Sequence, residues 1–162
     1  ARSNEARGAR WAEIDLDAST WTVSAERMKR GVAHRVPLAP EALEVLEAVR
    51  GLDSEFVFPS PQRAQRGEGR PLSVNAFRPL LARMGHTGLS VHGFRSSFRD
   101  WCSESAHADR EVAEAALSHA AGDAVERAYA RSDLFERRRD LMEAWAQYAT
   151  GAMGQVVRLV RP

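Results

Sequence analysis

The chain has 162 residues, of which 44% are hydrophobic and 28% charged, and its formal net charge is +1. These values are typical of one globular domain with its own core, and the net charge alone does not indicate a nucleic-acid partner. The single cysteine, Cys102, excludes an internal disulfide framework and a zinc site built from several cysteines. The sequence shows neither an apolar run of membrane-spanning length nor a signal-peptide pattern, so we expect a cytoplasmic protein.

The positive charge consists almost entirely of arginine. Of the 23 basic side chains, 22 are arginine and one is Lys29. A bias in genome base composition is a sufficient explanation for most of this excess. Arginine keeps its proton near neutral pH, however, whereas lysine can release one. A site that needs a cationic proton donor therefore has only Lys29 to use.

The first residues, ARSNEARGARW, predict the end of a helix over 3–10. Arg2 and Glu5 stand in helical register, but no upstream element caps or buries them. We therefore expect a fragment whose preceding segment is missing.

A small sheet is predicted next. Apolar and polar residues alternate over 11–16 and again over 20–24, with a short turn between them, which is the pattern of a β-hairpin. A third strand is predicted over 34–38, where Pro37 favours an edge position or the end of the strand. Lys29 lies near the turn between the second and third strands. Together these segments predict three antiparallel strands near the N-terminus.

The rest of the chain is predicted to be mainly helical. Pro40 opens a helix that Gly51 ends, residues 56–58 form a short buried segment, and Ser73 caps a second helix despite Pro79. The side chains of this second helix that are expected in the core are Phe77, Leu80, Leu81 and Met84. Later helices are expected over 92–103, 109–118, 121–130 and 133–149. The predicted fold class is therefore α+β, mainly helical, with a small three-stranded antiparallel sheet.

Val91-His92-Gly93-Phe94-Arg95 is the first segment that suggests chemistry. Residues three apart share a helix face, so His92 and Arg95 are expected to point the same way. Such a pair suits a phosphate, because arginine binds two oxygens and histidine adds a hydrogen bond or a proton. By itself the pattern is weak, since a surface histidine beside an arginine in a salt bridge is commoner.

The two tyrosines differ in their surroundings. Tyr148 occupies an amphipathic position on the last helix, where packing is the expected role. Tyr129 follows Leu117-Ser118-His119 by ten residues and lies between Arg127 and Arg131. A positive field favours phenolate over phenol, whose reference pKa is about 10. Taken alone, Tyr129 is still more typical of a half-buried packing residue.

In combination these segments resemble a known family. Arg2-Ser3-Asn4-Glu5, a lone lysine in a β-turn, His92-Gly93-Phe94-Arg95, Leu117-Ser118-His119 and Tyr129 follow one another as in the catalytic domain of tyrosine recombinases, the phage-integrase family. The runs VHGFRSSFRDW, AEAALSH, AYARSD and MEAWA are similar to integrases of prophages and genomic islands. Each motif is weak, but five in order are specific. The resemblance covers residues 2 to about 149.

The resemblance implies roles for the cationic residues. Arg2 and Arg95 match the two arginines that hold the non-bridging oxygens of the scissile phosphate and stabilise transition-state charge. Lys29 matches the hairpin lysine, a general acid for the departing 5′ oxygen. A solvated turn lysine is the alternative for Lys29. Glu5 matches the acidic residue that positions an arginine.

It also implies how the bond would be broken. Tyr129 matches the nucleophile that attacks phosphorus and forms a 3′-phosphotyrosine link. His92 and His119 match the two histidines that bond the phosphate and help to move protons. The chemistry of phosphoryl transfer agrees with this set, because it mainly needs positioning and cationic stabilisation. No acidic cluster indicates a two-metal nuclease, and we expect neither a metal nor another cofactor.

By resemblance, the protein is a site-specific DNA recombinase that integrates or excises a prophage or genomic island. The implied partners are double-stranded DNA attachment sites, three further copies of the full-length protein in a tetramer, and an accessory DNA-bending protein, with no membrane. The expected location is the bacterial cytoplasm at the nucleoid. Residues 1–150 are assigned to an N-terminally truncated catalytic domain. Residues 151–162 form a tail whose apolar run, 155–160, is expected either to pair with a neighbour's sheet or, alternatively, to dock on its own domain or be disordered.

Two other functions stay open at this point. A type IB topoisomerase-like enzyme would use the same pocket to relax DNA, and a degenerate fragment would bind DNA without cutting it. The sequence also departs from the resembled family, which carries a helical segment and a DNA-clamping domain before the first arginine. In addition, Ser118 stands where many members have glycine. The intact set of matching residues argues against decay.

Overall fold

The computed structural model describes residues 1–62, 69–119 and 132–151. The helices in these ranges are α1 (Ser3–Arg7), α2 (Pro40–Ala48), α3 (Phe77–Arg83), α4 (Val91–Glu104), α5 (Arg110–Ala116) and α6 (Phe135–Ala149). The predicted α+β class is confirmed. The helix expected over 121–130, Tyr129 and the possible strand over 155–160 lie outside the described residues. None of the helices that are described has the length and apolarity needed to cross a membrane.

The three predicted strands are present as an antiparallel sheet in the order β1 (Ile14–Asp15), β2 (Thr20–Val23) and β3 (His34–Pro37). β3 lies at an edge and ends at Pro37, as expected for a residue without a backbone donor. The first strand is shorter than predicted. Residues 11–13 form a 3₁₀ turn instead, in which the Glu13 carboxylate accepts a hydrogen bond from the Arg10 backbone at 3.2 Å.

One core cluster lies under this sheet. Val23 and Val57 have no exposed surface, and Trp21, Met28 and Leu46 are almost fully buried around them. The sheet therefore packs against α2 and against the short segment that was predicted to be buried at residues 56–58. The backbone of this segment is hydrogen-bonded to the loop after α1, with Val57 N donating to Ala9 O at 2.9 Å.

The third helix corrects two details of the prediction. It begins at Phe77, because the Ser73 hydroxyl accepts a hydrogen bond from Asn75 N in a turn and caps no helix. Pro79 then falls in the first turn, where its missing N–H costs no intrahelical bond. Leu80 and Met84 were expected in the core, but they are 42% and 60% exposed. Their apolar face borders a cavity described below.

A second core cluster joins α4, α5 and α6. Phe98, Trp101 and Cys102 of α4 pack against Leu117 and Leu141. The rings of Trp101 and Trp145 are 5.2 Å apart, and Tyr148 stacks obliquely on both. These aromatic contacts hold α6 across α4, which fixes the frame on which the candidate site residues stand.

Helix α5 ends in a left-handed turn. Ser118 has φ of 52°, His119 N donates to Glu114 O at 2.9 Å, and Ser118 N donates to Ala115 O at 3.0 Å. This is a Schellman motif, in which glycine normally occupies the left-handed position. The motif places His119 immediately after the helix with a fixed backbone.

Replacing Ser118 with glycine should stabilise the domain. Glycine adopts this backbone without the clash that a Cβ causes, so Ser118→Gly is expected to raise the free energy of unfolding by about 0.5–1 kcal/mol in urea titrations. The control is Ser96→Gly on an exposed position within α4, which is expected to lower it by about 0.5 kcal/mol. Equal effects of the two substitutions would contradict the assignment of Ser118 as a strained cap.

Candidate active site

Arg2 and Glu5 form a pair at the start of α1. The Glu5 carboxylate accepts hydrogen bonds from Arg2 N at 2.6 Å and from Arg2 Nη1 at 2.9 Å, and Glu5 is only 3% exposed. Burial alone would raise the pKa of this carboxyl, but the two hydrogen bonds and the charge of Arg2 keep it below its ordinary value. Glu5 is therefore ionised and holds the half-buried Arg2 side chain in place.

Arg95 lies one turn into α4, a helix that Ser90 caps by accepting a hydrogen bond from Gly93 N. Its Nη2 donates to Leu117 O at 2.7 Å and lies 3.0 Å from His119 Nε2. Its Nη1 is buried and has no hydrogen-bond partner among the described residues. Burial, and next the nearby Arg2, lower the pKa of this guanidinium, as expected when cations converge.

His119 is held from both sides of its ring. Nδ1 lies 2.7 Å from Glu114 Oε2, and Glu114 also pairs with Arg99 at 3.3 Å. Arginine can only donate, so Nε2 must accept from Arg95 and the ring proton must reside on Nδ1, where it is donated to Glu114. Such a carboxylate partner fixes both the tautomer and the orientation of a histidine.

The two arginines lie on one cavity. A space of about 500 Å³ is lined by both guanidinium groups and otherwise mainly by apolar side chains of α3, α4 and α6. Arg138 contributes to the same wall. A second space, of about 230 Å³, is lined by His119, Arg30 and His34 among others. The contact between Arg95 and His119 joins the walls of the two cavities.

Lys29 lies in the connection between β2 and β3, as predicted, and its side chain is exposed. The residues before it fix the connection. Arg27 forms a salt bridge with Glu13 and donates from Nη2 to Glu5 O at 2.7 Å, while Met28 is 5% exposed in the sheet core. The backbone of Lys29 is thus anchored close to α1, and its ammonium group remains in solvent.

The structure brings some of the predicted residues together and leaves others apart. Arg2, Glu5, Arg95 and His119 converge. His92 is exposed on the first turn of α4, where no hydrogen bond or ion pair joins it to another described residue. Its side chain therefore does not join Arg95 in this arrangement, although the two share a helix.

Two contributors were missed at the level of sequence. Glu114 precedes His119 by five residues, which is not a same-face spacing on a helix, and only the left-handed turn at Ser118 brings the two side chains together. His34 on β3 is 8% exposed, hydrogen-bonds with the backbone of Ala116, and has a buried Nε2 with no partner in the described part of the chain. Nothing in a lone histidine on a strand marks it as a contact to α5.

Comparisons with known proteins identify the family of the chain. The phage integrase family model matches residues 1–135. The prophage integrase IntA of Escherichia coli strain K12 is 40% identical over 154 residues, which are 93% of this chain and 36% of that protein. The integrase of enterobacteria phage P4 is 33% identical over 165 residues, covering 91% of this chain and 37% of that protein. The integrase of Shigella phage Sf6 is 29% identical over 151 residues, which are 91% of this chain and 38% of that protein.

The match of the family model and the identity to prophage integrases place the chain in the class of the tyrosine recombinases. The chain belongs to the phage integrase family of these enzymes and is of the prophage-integrase type. It spans a little more than a third of the length of the relatives named above. No solved structure gave a significant match. The family resemblance expected from the sequence is confirmed.

The buried His34 should make stability depend on pH. Burial and, after it, the charge of Arg138 lower the pKa of His34 from 6.5 to about 4, with Glu5 acting in the opposite direction. The unfolded chain therefore takes up this proton first as the pH falls. The contribution of neutral His34 to the free energy of unfolding is complete above about pH 6.5. It is lost as the pH falls from about 6.5 to about 4, and the total loss is roughly 1–3 kcal/mol.

Urea titrations of the wild type and of His34→Gln at pH 7 and pH 5 measure this effect. The difference between the two pH values should be smaller in His34→Gln, because glutamine does not titrate. His86→Gln replaces an exposed histidine and should retain the wild-type dependence. A pH dependence that is the same in all three proteins would show that His34 is not buried in its neutral form.

Proposed function

We propose that this domain is the catalytic part of a site-specific recombinase that cuts and rejoins DNA at attachment sites through a 3′-phosphotyrosine intermediate. The observation that carries the proposal is the convergence of Arg2, Arg95 and His119 at adjoining cavities. Family membership supports it as well, since the named relatives are integrases. Residues 1–150 are proposed as the catalytic domain and 151–162 as its tail.

The geometry of Arg95 supports a role in binding the scissile phosphate. One nitrogen is occupied by Leu117 O and His119, whereas Nη1 is buried without a partner among the described residues. A buried donor without a partner is costly, and a non-bridging phosphate oxygen would satisfy it. Arg2, held by Glu5 on the same cavity, would bind the second oxygen. Two cations fixed in advance stabilise the additional charge of the transition state.

The bond changes then balance as follows. The Tyr129 oxygen forms a bond to phosphorus and the bond from phosphorus to the 5′ oxygen breaks. The phenol proton passes to a histidine of the site or to solvent, and the 5′ oxygen gains a proton, for which Lys29 is the proposed donor. One phosphodiester replaces another, so the reverse attack by a 5′ hydroxyl rejoins the strand without an external energy source.

The two histidines receive different roles. Nε2 of His119 accepts from Arg95, and Glu114 orients the ring through Nδ1. Nε2 is thus placed to take up a proton during the reaction and, once protonated, to donate a hydrogen bond to the phosphate. His92, exposed on the first turn of α4, is proposed to contact the phosphate only when DNA is bound. A tetramer on paired DNA sites, helped by a DNA-bending protein, is the assembly we propose for the whole recombinase.

The nucleophile can be tested by covalent trapping. The substrate is a pool of duplexes with randomised sequence around one 5′-bridging phosphorothiolate, because a thiolate leaving group cannot readily reverse the attack. We expect the wild type to form an adduct that survives denaturing electrophoresis and Tyr129→Phe to form none. The bound duplexes, when sequenced, also report the preferred site.

Tyr148→Phe is the matched control for this experiment. Tyr148 is 46% exposed and its ring packs on Trp101 and Trp145, contacts that phenylalanine preserves. This variant should form the adduct at the wild-type rate. An adduct that persists in Tyr129→Phe would reject the assignment of the nucleophile.

The role of Lys29 can be separated from that of the tyrosine. Lys29→Ala is expected to slow cleavage of an ordinary phosphodiester by about 10²–10⁴-fold, which is the usual contribution of a general acid. The same variant should cleave the 5′-phosphorothiolate duplex at nearly the wild-type rate, because a thiol has a pKa of about 8.5 and leaves without a proton. Arg30→Ala, a neighbouring exposed cation, should show no such difference between the substrates. Equal slowing of Lys29→Ala on both substrates would contradict the proposal.

Plasmid assays distinguish recombination from the two other functions. Exchange that depends on the selected site supports a recombinase, whereas relaxation of any supercoiled plasmid would indicate a topoisomerase-like enzyme. Binding in gel shifts without any adduct would indicate a DNA-binding fragment.

A further inference from the structure

A buried arginine on α6 ties together two distant parts of the chain. Arg138 is 1% exposed, and three of its donors are satisfied: Nε donates to Asp133 O at 2.8 Å, Nη1 to Arg35 O at 2.6 Å, and Nη2 to Asp133 Oδ2 at 3.0 Å. A guanidinium is buried at such depth only when it is hydrogen-bonded and paired. We call Arg35, Asp133 and Arg138 the clamp.

The carboxylate of Asp133 is shared between the two arginines of the clamp. Arg35 donates to it twice, from Nε to Oδ2 at 3.0 Å and from Nη2 to Oδ1 at 3.1 Å, in the bidentate geometry that favours arginine. The Arg35 guanidinium also lies 4.1 Å from the centre of the Phe135 ring. The hydrogen bonds from Arg35, and then the charge of Arg138, keep the pKa of Asp133 below its ordinary value. The contact with the Phe135 ring and the two hydrogen bonds to Asp133 thus hold the Arg35 guanidinium in one orientation.

The backbone has an unfavourable conformation where the clamp holds it. Leu134, between Asp133 and the first residue of α6, has φ of 56°, an unfavourable conformation for a residue with a branched side chain. The Ser132 hydroxyl accepts a hydrogen bond from Leu134 N at 3.0 Å. Strain of this kind persists where the surroundings dictate the backbone path, and it concentrates near functional sites.

The position of the clamp along the chain gives it a meaning for the reaction. Asp133 follows Tyr129 by four residues, so the two Cα atoms are at most about 14 Å apart. Arg35 stands on β3, which leaves the connection that carries Lys29. Arg35 and Asp133 also line the smaller cavity together with His119. Among the described residues, the clamp therefore joins the chain just after Tyr129 in the sequence to the strand that follows Lys29.

We propose that the clamp of Arg35, Asp133 and Arg138 is a positioning device. It fixes the backbone at Asp133 against β3, four residues after Tyr129 in the sequence, and attack by Tyr129 on the phosphate depends on that anchor. Stability alone is a poor explanation, because buried ion pairs can often be replaced by apolar groups without loss. In this proposal none of the three residues binds the phosphate, since their described hydrogen bonds are made within the clamp, and each acts through the backbone that it fixes. This inference rests on the proposed function.

The test uses Asp133→Asn and Arg35→Gln, whose side chains are 45% and 50% exposed in the wild type and whose replacements remain polar. Arg137→Met is the control, because Arg137 is the neighbour of Arg138 on α6 but pairs with Asp109 and Glu111 outside the clamp. Single-turnover cleavage is measured on the duplex recovered by trapping, in both its phosphate and its 5′-phosphorothiolate form. DNA affinity and melting temperature are measured in parallel.

We expect each clamp variant to bind DNA as the wild type does and to cleave both substrates about 10–100-fold more slowly, since small displacements of a reacting group have effects of this size. The double variant should be no slower than the slower single one, because both substitutions remove the same contact. Arg137→Met should cleave normally. A purely structural role would lower the melting temperature without changing cleavage measured well below it.

Three results would overturn the inference: wild-type cleavage rates in both clamp variants, a loss confined to DNA affinity, or full recovery on the phosphorothiolate duplex. The last result would indicate that the clamp acts on proton donation by Lys29 and not on the position of the nucleophile. Failure of the proposed function looks different, because the wild type and Arg137→Met would then form no adduct either, and the inference would fall with it.

Discussion

The arrangement of the site depends on how Arg95 is held. Its partners are the carbonyl of Leu117 and the ring of His119, and no carboxylate among the described residues bonds to it directly. The last carbonyls of a helix have no intrahelical partner and carry partial negative charge, so a cation at the end of α5 is favourable there. An arginine positioned by a carbonyl keeps its full charge for an incoming anion, whereas a carboxylate would neutralise much of it. The same contact joins α4 to α5, which makes the orientation of the guanidinium a property of helix packing.

Arg2, Arg95 and Arg138 show three different ways in which the cost of burying an arginine is offset. Arg2 is neutralised locally by Glu5, which makes it a fixed but moderated charge. Arg95 stays unpaired by carboxylates and borders a cavity. Arg138 is satisfied by two carbonyls and a shared carboxylate, so that its donors are directed at the protein itself. All three line the larger cavity, but they differ in their donors. Nη1 of Arg95 has no partner among the described residues, which favours ligand binding, whereas all three nitrogens of Arg138 donate to the protein, which favours a positioning role.

The sequence predicted the elements far better than it predicted their surroundings. Alternation and turn residues were enough for the sheet, since β-strand periodicity reports which residues share a face. Periodicity does not report what covers that face, which is why Leu80 and Met84 were expected in the core and are exposed. The family-like residues Arg2, Glu5, Arg95 and His119 could be listed in advance because they recur as motifs. Their partners could not, because Glu114 reaches His119 only through the left-handed Ser118. In a chain with 22 arginines, nothing marked Arg35 and Arg138, 103 residues apart, as neighbours.

The site divides into a part that helices hold rigidly and a part that connections carry. Arg2 and Arg95 stand at helix starts and have their side chains fixed by short contacts. Lys29 lies on a connection and is exposed, although Arg27 and Met28 anchor the residues next to it. Phosphate binding needs fixed charges, whereas a proton donor must approach the leaving oxygen only when the bond breaks. Under the proposed function, such a domain would bind DNA with its charges already in place, and cleavage would still depend on how the connections are held. The edge strand β3 links the two parts, because it follows the connection that carries Lys29 and contributes Arg35 to the clamp.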